Sequence, residues 1–202
     1  MNRNSEFSQL RITLDEAITY GTYQEAIRLA EEGLRQAEAK GLSGEIEYFK
    51  GQIELLNENF TTAIEHFDAA IKYNPHDGAA YNDRALCMIE LGIIEEAFYY
   101  FDKGIEVEPD YATIYHNKGW LLNNIGQHTQ AIECFKKALE LEPNRAVTYD
   151  NLADALINLS DYQGAKAAYK KLLELLKPGC CEEIRKQVIE HIKSIESKIA
   201  RN

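Results

Sequence analysis

The 202-residue chain is 45% apolar and 27% charged, with a net charge of −11 at pH 7. That size permits one or two compact domains, and no apolar run approaches the roughly 18 residues that a membrane span needs. The acid excess excludes a nucleic-acid partner, which requires a basic face to displace phosphate counterions.

The charge is uneven. Residues 44–111 hold 15 Asp and Glu against 4 Lys and Arg, a concentration suited to drawing in a basic partner segment. The opening "MNRNSEFSQLRITLDEA" has no apolar core of the kind a secretory leader carries. Cys87, Cys134, Cys180 and Cys181 form no CxxC pair or regular framework; reduced thiols in a cytoplasmic protein are therefore expected. Cys180, Cys181 and His191 do not make a metal site, because two neighbouring thiolates cannot easily share one tetrahedral ion.

Along the chain, the first periodic unit covers about residues 7–43. Leu10, Leu14, Ala17, Gly21, Tyr23, Ala26 and Ala30 mark two helices, the second running to about Lys40 before the insertion "GLS". A stricter pattern then begins. Gly51, Ala63 and Pro75 reappear 34 residues on as Ala85, Ala97 and Pro109, and again as Gly119, Ala131 and Pro143. Ala153 and Ala165 continue the series, with Pro178 one residue out of phase. An aromatic follows each central alanine by four: Phe67, Phe101, Phe135 and Tyr169. A fixed period of this length marks a repeat array.

Each unit reads as two helices. In residues 112–145, "ATIYHNKGWLLNNI" stops at Gly126, and "HTQAIECFKKALELE" is halted by Pro143. Gly92 and Pro109 punctuate one neighbouring unit, and Ser160 and Pro178 the other. No strand-like alternation is present, so the chain is all-α. The small residues let paired helices approach closely while the aromatic fills the space beside them. A larger side chain there would strain the packing by ~1–3 kcal/mol. The unit at 44–77 carries Glu47 and Glu54 where its first helix needs apolar residues, with Tyr48, Phe49, Leu55 and Leu56 to either side. Either that helix is rotated or it offers an apolar outer face. The tail at 180–202 lacks the repeat. Its stripe of Ile184, Val188, Ile192, Ile195 and Ile199 suits a capping helix over the last repeat, with dimerisation the alternative.

Tyr115, Gly119, Gly126, Ala131, Phe135, Ala138 and Pro143 together resemble the tetratricopeptide repeat (TPR) family. Tyr81, Ala85, Gly92, Ala97, Phe101, Gly104 and Pro109 match in the same way, as do Tyr149, Leu152, Ala153, Leu156, Tyr162, Ala165 and Tyr169. The resemblance implies a right-handed α-solenoid of about five repeats, at 7–43, 44–77, 78–111, 112–145 and 146–179, plus the terminal helix. It also implies a concave groove lined by the first helix of each pair.

At 100° per residue, Tyr115, Lys118, Gly119 and Leu122 share the packed arc of their helix. Opposite them stand Thr113, His116, Asn117, Trp120, Asn123 and Asn124, a tryptophan with amides where a purely structural helix would be charged. The matching positions are Asn82 and Asp83 in the unit before, and Asp150, Asn151, Asp154 and Asn158 in the unit after. Asparagine offers donor and acceptor together and can satisfy an extended peptide backbone. Asparagines at the places of Asn117 and Asn151 often line the groove in the resembled family. Trp120 suits an anchor. His116 beside Asp150 is the nearest approach to a titrating pair.

These residues point to a non-catalytic scaffold holding a basic or extended peptide or protein segment. A self-assembling protein whose groove takes a helix of another copy, as a homodimer or larger, and a carrier of secreted proteins are the alternatives. No HExxH, GxSxG or phosphate loop is present, and no cofactor or metal is expected. Family members that grip a chaperone carboxyl terminus pair a base with asparagine. Arg11 with Asp15, Tyr48 with Gln52, and His116 with Trp120 do not.

Overall fold

The computed structural model describes residues 6–177, 179 and 182–200. Pro178, Cys180 and Cys181, singled out in the sequence, lie outside them. The chain divides into two compact units, Met1–Pro109 and Asp110–Asn202.

Unit 1 contains α1 (Glu6–Tyr20), α2 (Tyr23–Lys40), α3 (Ser43–Leu56), α4 (Phe60–Tyr73), α5 (Gly78–Glu90) and α6 (Ile94–Val107). They pair as antiparallel hairpins in chain order, α2 packing on α3 and α4 on α5. Unit 2 contains α7 (Ala112–Asn124), α8 (His128–Leu141), α9 (Ala146–Asn158), α10 (Tyr162–Leu175) and α11 (Glu182–Ile199). There α7 pairs with α8, α8 packs on α9, α9 pairs with α10, and α11 lies on α10. No strand occurs among the described residues.

The small-residue and aromatic series forms the contact within each pair. Phe67, Phe101 and Phe135 are fully buried, and Tyr169 nearly so. Gly51 faces Phe67 and Gly119 faces Phe135, so closely that an added Cβ would stand 2.6 and 2.9 Å from ring carbons. Ala63, Ala97, Ala131 and Ala165 have no exposed surface. Each enclosed aromatic contributes on the order of 2 kcal/mol through the apolar area it removes from water.

The pair at 44–77 keeps the common register. Gly51 meets Phe67 as Gly119 meets Phe135, so α3 is not rotated. Glu47 occupies the place of Tyr81 one unit later, and His66 that of Tyr100. Where Tyr81 and Tyr100 stack with ring centroids 6.3 Å apart, Glu47 Oε2 lies 2.7 Å from His66 Nδ1. A polar pair has replaced an aromatic one. Burial raises the Glu47 carboxyl, but hydrogen bonds from His66 and Lys50 outweigh it and hold the group below its ordinary range.

The hairpin turns also repeat. Glu58, Gly92, Gly126 and Ser160 follow one another at 34-residue intervals, with φ of 61°, 76°, 82° and 60°. A side chain in this left-handed region costs about 1–2 kcal/mol, which glycine avoids. On α11, Val188 and Ile195 are buried, the Tyr169 and His191 rings lie 5.4 Å apart, and Lys166 pairs with Glu196 at 2.6 Å.

Two substitutions separate turn strain from packing. Ser160→Gly should raise stability by ~0.5–1 kcal/mol, or a few degrees in Tm. Gly51→Ala should lower Tm despite alanine's better helix propensity of ~1 kcal/mol, because the Phe67 ring has nowhere to go. Thermal melts followed by circular dichroism read both.

Candidate functional site

In unit 2 the first helices of the two pairs, α7 and α9, lie side by side through polar contacts. Thr148 Oγ1 is 2.9 Å from His116 Nδ1. Asn151 Nδ2 approaches His116 Nε2 at 3.5 Å. In a neutral imidazole one ring nitrogen donates and the other accepts, so these two neighbours can satisfy both. Further along, Asn158 Nδ2 donates to Asn123 Oδ1 at 3.4 Å, and Asn123 Oδ1 also lies 2.7 Å from His128 Nδ1.

The face predicted to be open is thus layered. Thr113 and His116 are buried, beneath it rather than on it. Asn117, Asp150 and Asn151 are half-buried, while Trp120, Asn124, Asp154 and Asn158 are exposed. Trp120 keeps 38% of its surface in solvent, large for an indole on a packed helix.

Burial and then the Arg145 charge push the His116 imidazole down to about 3. Its partners are Thr148 and Asn151, and Asp150, the nearest candidate for a titrating pair in the sequence, is not among its hydrogen-bond partners. Asp150 stands above its usual range because of burial and then the nearby Asp154, with His191 opposing. Asp154 has a partner of its own, the Tyr169 hydroxyl, which donates to Oδ1 at 2.9 Å. Tyr169 holds the place of Phe135 and Asp154 that of Trp120. Of the four in-phase aromatics, the one with a hydroxyl has an acceptor waiting.

Asn82 and Asp83, the unit 1 members of the candidate set, are buried at 1% and 8% exposure. Asp83 accepts from Asn82 Nδ2 at 2.8 Å, from the Tyr48 hydroxyl at 3.0 Å, and from Gln52 Nε2. Burial lifts its carboxyl to about 7 in spite of these bonds. Beside them sits a residue that sequence reasoning weighed only as a failed chaperone clamp. The Arg11 guanidinium reaches both oxygens of Asp77 at 2.9 Å and Glu45 Oε2 at 2.9 and 3.1 Å. Its central carbon lies 3.5 Å above the Tyr48 ring. The available signal was positional, since Arg11, Tyr48 and Asn82 hold equivalent places once the "GLS" insertion is allowed for.

The depressed His116 has a direct consequence. Its folded value lies below the ordinary ~6.5, so the stability tied to its neutral form is present above that value and is lost as pH falls toward 3. Imidazole NMR shifts should show His116 uncharged in the folded chain at pH 5, where an ordinary histidine is mostly protonated.

Models of the tetratricopeptide repeat match residues 112–145, residues 15–71 and 48–112, and residues 134–167. No curated protein matches. Among solved structures, the chain resembles TTC0263, a thermophilic TPR protein of Thermus thermophilus, with a TM-score of 0.70 and 21% identity over 95% of this chain and 98% of that one. YrrB, a TPR protein with an unusual peptide-binding site, aligns with a TM-score of 0.59 and 15% identity over 96% and 94%. MamA of Desulfovibrio magneticus RS-1, from residue 41 to its end, gives 0.58 and 20% over 83% and 93%. No helix of the described residues is long and apolar enough to cross a membrane. In-phase glycines and alanines against buried aromatics, hairpin after hairpin, agree with those matches across residues 15–167: the chain is a member of the tetratricopeptide repeat family, with that family's all-α solenoid fold.

Proposed function

We propose that the chain is a non-catalytic interaction module that holds an extended segment of a partner protein on the α7–α9 face of unit 2. One observation carries the reading: Trp120 is well exposed on a rigid helix, among amides, where solvent-facing positions ordinarily hold charge. Asn117 and Asn124 flank it on α7, and Asn151, Asp154 and Asn158 present a second polar row on α9. An indole anchor beside donor–acceptor side chains suits a peptide held partly through its main chain. His116 supports the face from below and, being neutral, adds no charge to it.

Asn82 and Asp83 serve in this reading as supporting residues, because their polar atoms are already engaged inside unit 1. The peptide-binding site named for YrrB is in keeping with such use of the fold. A second reading, self-association through α11, is carried by the 50% and 39% exposure of Ile184 and Ile189.

Displayed peptide libraries panned against the intact chain supply ligands for the test. Trp120→Ala should weaken their binding by on the order of 2 kcal/mol, and Asn117→Ala or Asn151→Ala by less, with circular dichroism unchanged. Ligands held equally by wild type and all three variants would remove the assignment. Light scattering across a concentration series, on wild type and Ile184→Glu, reads the second reading separately.

A further inference from the structure

The Arg11 site in unit 1 has the form of a receptor with its occupant in place. Its walls are Glu45 and Tyr48 of α3 and Asp77, the residue before α5; its contents come from α1. Two carboxylates grip the guanidinium edge, Asp77 through both oxygens and Glu45 through one, while Tyr48 supplies an aromatic floor at 3.5 Å. Edge-on carboxylates with a face-on ring select a planar guanidinium over a compact ammonium.

The walls also have partners outside α1. Asp77 caps α5, accepting from the Ala80 N–H at 3.3 Å. The Tyr48 hydroxyl is anchored on Asp83 at 3.0 Å, and Asp83 is itself fixed by Asn82 and Gln52. Glu45 stands in the first turn of α3, where a negative charge is favoured by the helix dipole. Each of these supporting partners belongs to α3 or α5. The walls are therefore held from α3 and α5 as well as by Arg11, and their carboxylates outnumber the one guanidinium they enclose.

The occupant is the less firmly built element. Phe7, Arg11, Leu14 and Ala17 turn inward, Phe7 lying 6.0 Å from Phe49. Ile12, Ile18 and Tyr20 remain 48%, 44% and 61% exposed. Only Gly21 and Thr22, both exposed, join α1 to α2. A buried ion pair of this kind is weak as pure stabilisation, since an apolar residue commonly serves as well.

We propose that the α3–α5 edge of unit 1 is a binding site for an arginine presented on a partner's helix, and that α1 is its tethered occupant, displaced when the partner docks. The recognised pattern is the one α1 displays: an aromatic, an arginine four residues on, and an aliphatic three further along one helical face. This site is independent of the α7–α9 reading and stands or falls without it.

The test uses the full chain with Arg11→Gly, which vacates a guanidinium-sized space. N-ethylguanidinium at about 10 mM should raise the melting midpoint of this variant by ~3 °C and leave wild type unmoved. Ethylammonium at equal concentration should move neither. If Arg11→Gly is unfolded in buffer, the same two cations are compared by recovery of the far-ultraviolet helical signal. Adding Glu45→Gln to the variant should abolish the response. A labelled peptide of residues 6–20 should bind Arg11→Gly at least tenfold more tightly than wild type, and lose that preference when its own arginine is alanine. Equal effects of the two cations, or equal peptide binding by variant and wild type, would overturn the proposal.

Discussion

The whole architecture rests on a distance. Two helices can share a buried aromatic only if the partner helix offers almost no side chain at the contact, and this chain meets that condition in pair after pair. Gly51 against Phe67 and Gly119 against Phe135 leave no room for a Cβ without displacing the ring. Because the ring has no exposed surface, displacement means repacking the pair. The interval of 34 residues is the spacing at which this contact recurs, and the turns, the stacking and the polar rows follow from it.

Much of this was legible without coordinates. The small–aromatic phase placed the helix pairs, and the 3.6-residue helical period placed Trp120 on the outward arc of α7. The glycines at Gly92 and Gly126 marked turns that the chain does take with positive φ. What the sequence could not convey was which outward positions a neighbouring helix would cover. His116 and Asn117 are adjacent and both polar, yet one is buried against Thr148 of α9 while the other is half-open. A helical wheel treats each helix alone; the lateral neighbour decides the outcome.

The first helix of the second pair shows the same gap from another side. Glu47 looked anomalous because its required partner, His66, lies on the other helix of the pair. Read one position at a time, a carboxylate at a packing site suggests a rotated helix. Read as a pair against Tyr81 and Tyr100, it is a substitution of one complementary contact for another. The Arg11 cluster was hidden for a related reason, since its three walls come from residues 34 to 66 positions away and none carries a motif.

The bond between Tyr169 and Asp154 joins the interior of unit 2 to its outward face. Swapping Asp154 for a residue that cannot accept would strand a phenol hydroxyl inside the last pair, at a cost of roughly 1–3 kcal/mol. At the matching place one pair earlier stands Trp120, and the residue equivalent to Tyr169 is Phe135, which has no hydroxyl to satisfy. A change at Trp120 therefore strands no interior hydroxyl, whereas a change at Asp154 keeps the last pair satisfied only if Tyr169 changes with it.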